Sequence, residues 1–433
     1  MVLLCYIRNT DHTVRGIWTS HICRSISAGG RMESKMIPIE EAGRLILAHT
    51  EVLEKSETDI LSAYGFVLAD DVKSDIDMPP FDKAAMDGYA VRSGDCENIP
   101  ATLSVKMSIP AGTCTDRKIG PGECAKIMTG APVPHGADSV VMVEDTQPLD
   151  GMMVKIKKEV KHGRHICRKG EDVGEGELLL SCGAVIHAPE VAILASAGRA
   201  SVPVYRRPKV SVISTGSEIV EPGEPLGKGR IRNSNGPMLM NMVKAEGCDG
   251  RYLGIARDTE GELESKIERG SRSDVILLSG GVSMGDYDLV PAILKKAGVS
   301  IIFHKVSVKP GKPLLFAKRE RCIIFGIPGN PVSNFTTFHL FVKPALRKLM
   351  GDPFHEISLT DAVSETDIEN RGDRVHVMPS CYTMKKGGIY VKPLKLNGSA
   401  DIVGCAAANC LSVLKGRGAR VEPGETVKII ILK

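Results

Sequence analysis

The chain has 12 cysteines in 433 residues, and no two of them form a Cys-x-x-Cys pair. Zinc and iron–sulfur centres need closely spaced ligands, so a metal–thiolate site is not expected. Cys405 and Cys410, the closest pair, read as packing residues. No secretory signal is apparent, so the expectation is a cytoplasmic protein with free thiols in a reducing compartment. No apolar run reaches the roughly 20 residues that cross a bilayer, which argues against a membrane protein. The formal net charge is only +4 and no dense Lys/Arg run exists, so nucleic acid is not an expected partner. A Walker-type GxxxxGK[ST] loop is also missing, which weighs against a generic nucleotide phosphotransferase. There is no sustained repeat and no low-complexity tract.

What is present is ordinary globular composition, with 42% hydrophobic and 25% charged residues. A single core rarely grows past about 250–300 residues, so the chain should divide into several domains. Residues 1–35 lack clear periodicity and hold the single Trp, Trp18. They read as an N-terminal extension that could be disordered, with Met32 and Met36 as alternative starts.

From there the pattern is legible in order. IPIEEAGRLILAHTEVL predicts a helix, with Pro38 in the first turn, Glu40 and Glu41 at the N-terminal dipole end, and Leu45, Ile46 and Leu53 on one face. Residues 101–160 alternate short β-rich runs with turns, which predicts an all-β module. APEVAILASAG (188–198) predicts a helix between Pro189 and Gly198. From Arg206 strands and helices alternate: KVSVISTG, PMLMNMVKAEG, RYLGIARD, TEGELESKIERG, DVILLSGG, DLVPAILKKAG. Such alternation means a mostly parallel sheet with crossover helices. A helix, VSNFTTFHLFVKPALRKLMG, closes this unit near Gly351, and short strands then predict a small β-barrel or sandwich.

In open parallel sheets ligands sit outside the carboxyl ends of the strands. Those ends are Ser214-Thr215-Gly216-Ser217-Glu218, Arg257-Asp258, Ser279-Gly280-Gly281 and Pro328-Gly329-Asn330. Glycine lets a backbone approach a ligand, and a helix start behind it offers free N–H groups. Thr215, Ser279, Gly280, Gly281, Ser283, Pro328 and Asn330 are therefore substrate-binding candidates. HKVSVKPGKP adds Lys305, Lys309 and Lys312 around a Pro-Gly turn, so an anionic, phosphorylated ligand with a divalent cation is the expected guest. On the residues alone, Asp258 could equally cap the helix that follows, Lys309 and Lys312 could be solvated turn lysines, and Asp87 could be a turn former. His135 and His304 read as surface or packing residues.

PPFDKAAMDGYAVR, KIMTGAPVPHGADSVVMVED, STGSEIV, SGGVSMGDYD, KPGKP and GIPGNPVS resemble the signature segments of the molybdopterin molybdenumtransferase family, from about Met36 to the C-terminus. That family joins molybdenum, supplied as molybdate, to adenylylated molybdopterin, needs Mg²⁺ and releases AMP. Its members are homodimers of elongated four-domain subunits, with the active site between subunits. The resemblance implies that Asp258 and Asp288 hold the metal and pyrophosphate, with Glu218 and Asp172 nearby and Lys305 and Lys309 assisting catalysis. Lys309, Lys312, Ser333, Arg374 and Ser399 match a pocket for molybdate, and Asp87 and Thr129 match positions that enter the cleft from the partner subunit. Two departures stand beside the cleft: Ser217 and Asn233 occupy positions where the family commonly has Asp.

The expected architecture is multidomain α/β plus β. It comprises a mixed, discontinuous linker domain (36–76 and 173–205), a β-rich insertion domain (77–172), a central molybdopterin-binding-like α/β domain (206–354) and a C-terminal small β-barrel (355–433). The leading function is molybdenum insertion, with tungstate as a close variant. A transient contact with the upstream molybdopterin adenylyltransferase goes with it. The competing class is a non-catalytic dimeric scaffold on the same fold; loss of the acid pair or of the KPGK lysines would favour it, and both are present.

Overall fold

In the computed structural model, residues 36–282 and 289–432 are described. Its centre is a six-stranded sheet in the order Asp249–Ala256, Lys209–Thr215, Val275–Ser279, Cys322–Ile327, Leu315–Arg319, Ser300–His304. The first four strands run parallel, Leu315–Arg319 alone runs antiparallel to its neighbours, and Ser300–His304 returns to the direction of the first four, a mostly parallel sheet as the alternating pattern predicts. Val275–Ser279 and Cys322–Ile327 are buried at every residue, which fits a sheet covered on both faces.

One face carries Asn235–Ala245, Ile39–Ala48 and the 331–349 helical run, packed through Leu239, Val243, Ile39, Ile46, Phe338 and Phe341. The other carries Glu260–Gly270 and Val290–Lys296, packed through Leu263, Ile267, Ile293 and Leu294. Two helices differ from expectation. The first ends at Ala48, so Leu53 lies outside it. Thr50 Oγ1 donates to the Ile46 carbonyl (2.8 Å) and His49 Nδ1 contacts the Leu45 carbonyl (2.9 Å), which occupies last-turn acceptors that a longer helix would use. Leu53 still packs against the same core. The last run is an α-helix (Pro331–Thr337), a π-turn (Phe338–Val342) and a second α-helix (Lys343–Leu349). Pro344 has no N–H to offer the Leu340 carbonyl, and the wider π-turn accommodates its ring.

Around this unit lie three β-rich parts. Lys55–Asp59 pairs with Ser201–Tyr205, and Val72–Lys73 with Leu178–Leu180, joining segments far apart in sequence. Between them the chain builds a curled sheet ordered Ser139–Met142, Gly88–Val91, Glu123–Ile127, Ala101–Ile109, Met153–Ile156, Thr146–Leu149. The C-terminal strands close on themselves: Val375–Lys385 pairs with both Gly388–Pro393 and Cys410–Leu414, and Thr360–Ser364 and Thr426–Ile431 complete five strands of a barrel. Arg206 fastens the central sheet to the preceding segment, with two bonds to Asp274 (2.6 and 2.7 Å) and one to Glu54. Burial is the largest single influence on the Asp274 carboxyl and raises it, but the Arg206 bonds, the Lys209 N–H and the charges of Arg206 and Lys209 together hold the group below its ordinary range.

Candidate functional site

The carboxyl ends of the parallel strands open into a cavity of ≈ 660 Å³. Its walls include Thr215, Glu218, Asp258, the Ser279-Gly280-Gly281 turn and the Pro328-Gly329-Asn330 turn. Gly280 and Gly281 have φ of +99° and +65°, and a Cβ on Gly280 would lie 2.6 Å from the Thr215 carbonyl oxygen. The turn therefore admits no side chain there, and the backbone itself faces the cavity.

Asp258 does not cap the helix behind it. The N-cap is Thr259, and the Asp258 carboxylate instead accepts from the Ser217 N–H (2.8 Å). In return the Asp258 N–H donates to Ser217 Oγ (3.0 Å). This reciprocal clamp ties two strand ends together and fixes one carboxylate oxygen. The Glu218 carboxylate, on the same wall, has no hydrogen-bond partner among the described residues. The pair offers hard oxygen donors, which suit Mg²⁺ with several retained waters. Asn233 is turned inward: its Oδ1 accepts from Ser214 Oγ and the Gly236 N–H, and its Nδ2 donates to the Tyr252 hydroxyl (2.6 Å) and Glu221 (3.3 Å).

A second cavity of ≈ 540 Å³ adjoins the first. Lys309, Lys312, Ser333, Arg374 and Ser399 all line it, gathered from the KPGK loop, the start of the 331–349 run, the barrel's long strand and the loop before Asp401. The strand pair Val308–Lys309 with Val375–His376 brings loop and barrel together, and Arg374 donates to the Val308 carbonyl (3.1 Å). Gly311 (φ +118°) packs against Thr337, whose Oγ1 would lie 2.8 Å from a Cβ there. Pro313 lines both cavities, and Asn330 Nδ2 on the first donates to Ser399 Oγ on the second (2.7 Å). Among the described residues, no carboxylate lines the second cavity. Among those residues, three cations and two hydroxyls with no anion have the donor chemistry that suits a small oxyanion.

With that geometry in place, the likeness to known proteins is direct. The MoeA N-terminal region (domain I and II) matches residues 37–198, the probable molybdopterin binding domain residues 211–348, and the MoeA C-terminal region (domain IV) residues 361–432. The chain is 34% identical over 403 residues to a molybdopterin molybdenumtransferase of Staphylococcus aureus, covering 91% of this chain and 95% of that one. It is 33% identical over 407 residues to that of Bacillus subtilis, covering 92% and 94%. The crystal structure of a molybdopterin biosynthesis MoeA protein from Pyrococcus horikosii superposes with a TM-score of 0.79 at 32% identity, over 92% of this chain and all of that one. The chain belongs to the molybdopterin molybdenumtransferase family. It is an enzyme, a transferase of molybdenum cofactor biosynthesis.

Within this transferase the residues singled out by sequence fall into three groups. Thr215, Glu218, Asp258, Ser279, Gly280, Gly281, Pro328 and Asn330 line the first cavity, and Lys309, Lys312, Ser333, Arg374 and Ser399 the second. Lys305, immediately after the strand Ser300–His304, has a left-handed backbone (φ 89°) and lines neither. Asp87, Thr129 and Asp172 lie in the 77–172 segment and line neither cavity of their own chain. Asp87 accepts from the Thr129 N–H and hydroxyl (2.7 and 2.8 Å), bonds that hold its carboxyl below the usual range. Ser283 and Asp288 lie outside the described residues. His135 is exposed, and His304 Nε2 contacts the Val282 carbonyl (2.7 Å).

Sequence reasoning missed Arg232, Asn235 and Pro313 on the walls of the first cavity and His376 on the second. Arg232 and Asn235 immediately flank a helix start that follows a strand, a signal available from the pattern. Nothing in the sequence marks His376.

Proposed function

We propose that this enzyme inserts molybdenum from molybdate into adenylylated molybdopterin and releases AMP in a Mg²⁺-dependent step. The observation that carries this reading is the shared wall. Among the described residues, a cavity with two carboxylates and a glycine turn adjoins a cationic cavity with none, through Pro313 and the Asn330–Ser399 hydrogen bond. A substrate with a phosphoanhydride at one end and a dithiolene at the other needs such neighbours.

Asp258, with one oxygen fixed by Ser217, and Glu218 are the described residues suited to hold Mg²⁺, and the family resemblance adds Asp288. Bound there, the ion supplies charge to the pyrophosphate oxygens as the anhydride breaks. The Gly281 backbone N–H and Arg232 receive phosphate oxygens, the Gly280 N–H being donated to the Ile327 carbonyl (3.0 Å). Lys309, Lys312 and Arg374 hold the oxyanion by charge, and Ser333 and Ser399 orient it by hydrogen bonds. Tungstate has nearly the same size and charge and fits the same donors. The working unit on this reading is a cytoplasmic homodimer. Asp87 and Thr129 reach the partner's cleft, and the substrate arrives by transient contact with the adenylyltransferase.

The test is AMP release from adenylylated molybdopterin with purified protein. Release that requires both Mg²⁺ and molybdate or tungstate is expected, and Asp258→Asn should cut it by about 100-fold or more while the circular dichroism stays unchanged. No oxyanion-dependent release from folded protein would overturn the reading.

A further inference from the structure

The second cavity holds one titratable group that its oxyanion role has not used. His376 lines it, on the barrel strand Val375–Lys385. Arg374 immediately precedes the strand, and both Arg374 and His376 line the cavity. Across the pairing, His376 stands beside Lys309 on one flank and Leu414 on the other. Its ring nitrogens have no hydrogen-bond partner among the described residues, so they are available to a guest.

The charges that act on the ring are all positive. Lys309 comes from the adjoining strand and Arg374 from its own, while the strand on the far side presents Leu414. Lys312 lines the same cavity, and among the described residues no carboxylate does. Burial first, then Lys309 and Arg374, push the imidazole down to about 4, so in the empty cavity it is neutral near pH 7.

We propose that His376 is an oxyanion-contacting residue that takes up a proton as a dianion enters, making oxyanion binding proton-linked and selective for dianions. The proposal rests on the oxyanion reading of this cavity. A bound dianion within hydrogen-bond reach brings two negative charges against the ring, opposing the pull of Lys309 and Arg374. It also accepts the N–H bonds that the imidazolium donates, which favours the charged form. The sign follows: the bound state holds the proton more tightly than the free state, so affinity rises as pH falls from the bound-state pKa towards about 4 and is flat above it. A monoanion exerts half the pull and leaves the ring neutral. Lysine and arginine, always charged near neutral pH, attract any anion, and His376 adds discrimination by charge.

The test is calorimetric titration of the full chain with sodium molybdate between pH 6.0 and 8.5, in buffers of different ionisation heat, with nitrate as the monoanion. Wild type is expected to take up about half a proton or more per molybdate at pH 6.0, falling towards none at pH 8.5. Its Kd should weaken by up to about tenfold per unit of pH across that window. Nitrate should cause no uptake. His376→Gln keeps an amide donor and should bind molybdate with no uptake and a flat pH profile. Molybdate binding without proton uptake in wild type, or uptake that survives in His376→Gln, would sink the proposal and leave the oxyanion cavity standing. Absence of molybdate binding at every pH would overturn both.

Discussion

At the scale of single residues, two substitutions beside the cleft have physical explanations that the sequence could only pose. Ser217 stands where the family resemblance leads one to expect Asp, and its hydroxyl and N–H together grip Asp258. The clamp is kept without a third carboxylate. Asn233 is the better example, because its amide bridges groups that a carboxylate could not. Its Nδ2 donates to Glu221 (3.3 Å) and to Tyr252 (2.6 Å), whose hydroxyl in turn donates to Glu221 (2.6 Å). Burial, then the Glu221 bond, drives the Tyr252 phenol well above its usual range. Asn233→Asp would set two carboxylates face to face at a buried position. It is expected to lower stability by about 1–3 kcal/mol at pH 7, and by less at pH 4, where one carboxyl can protonate. Equal denaturant midpoints for the two proteins at pH 7 would contradict this. Such a network joins residues 214, 221, 233 and 252 through the fold, so no local pattern announces it. The strand-end residues, by contrast, could be found, because a parallel sheet forces all its carboxyl ends to one edge.

At the scale of elements, the helical run after Pro331 shows what periodicity can and cannot give. Its apolar spacing marks a long buried helix, and Phe338, Phe341, Leu346 and Leu349 are buried as that spacing requires. The π-turn is not visible in the spacing, since it adds one residue where Pro344 removes a hydrogen bond. It also turns His339 into the interior, against Phe335 and Phe338, with Nδ1 unpartnered. Burial, then Lys343 and Arg347, push this imidazole down to about 3. Its unfolded value is about 6.5, so the folded state refuses a proton that the unfolded chain accepts. Stability from this group is therefore complete above about pH 6.5 and is lost as pH falls towards 3. The loss between pH 7 and pH 4 should be about 3 kcal/mol, and His339→Phe should abolish that share of it. A variant whose stability falls with acid as steeply as wild type would refute the assignment. The first helix is the opposite lesson. Its face was legible, but its end was not, because His49 and Thr50 close it with their own side chains.

At the scale of the whole molecule, strand–helix alternation was enough to give the central sheet, and the short C-terminal strands left barrel and sandwich open. Closure is decided by Val375–Lys385, which is long enough to pair on both sides. The site depends on that closure. Arg374 and Ser399 reach the KPGK loop only because the barrel's long strand pairs with Val308–Lys309 and because the Val332 N–H donates to the Ser399 carbonyl (3.0 Å). Motifs some 90 residues apart thus meet in one cavity, which spacing could not show. The division of labour between adjoining cavities is the central claim, and titration of AMP release with molybdate in Arg374→Ala tests it most directly. The account predicts that the molybdate concentration for half-maximal release rises by about tenfold or more, while the affinity for AMP stays within about twofold of wild type. An unchanged molybdate response, or a parallel loss of AMP affinity, would contradict it.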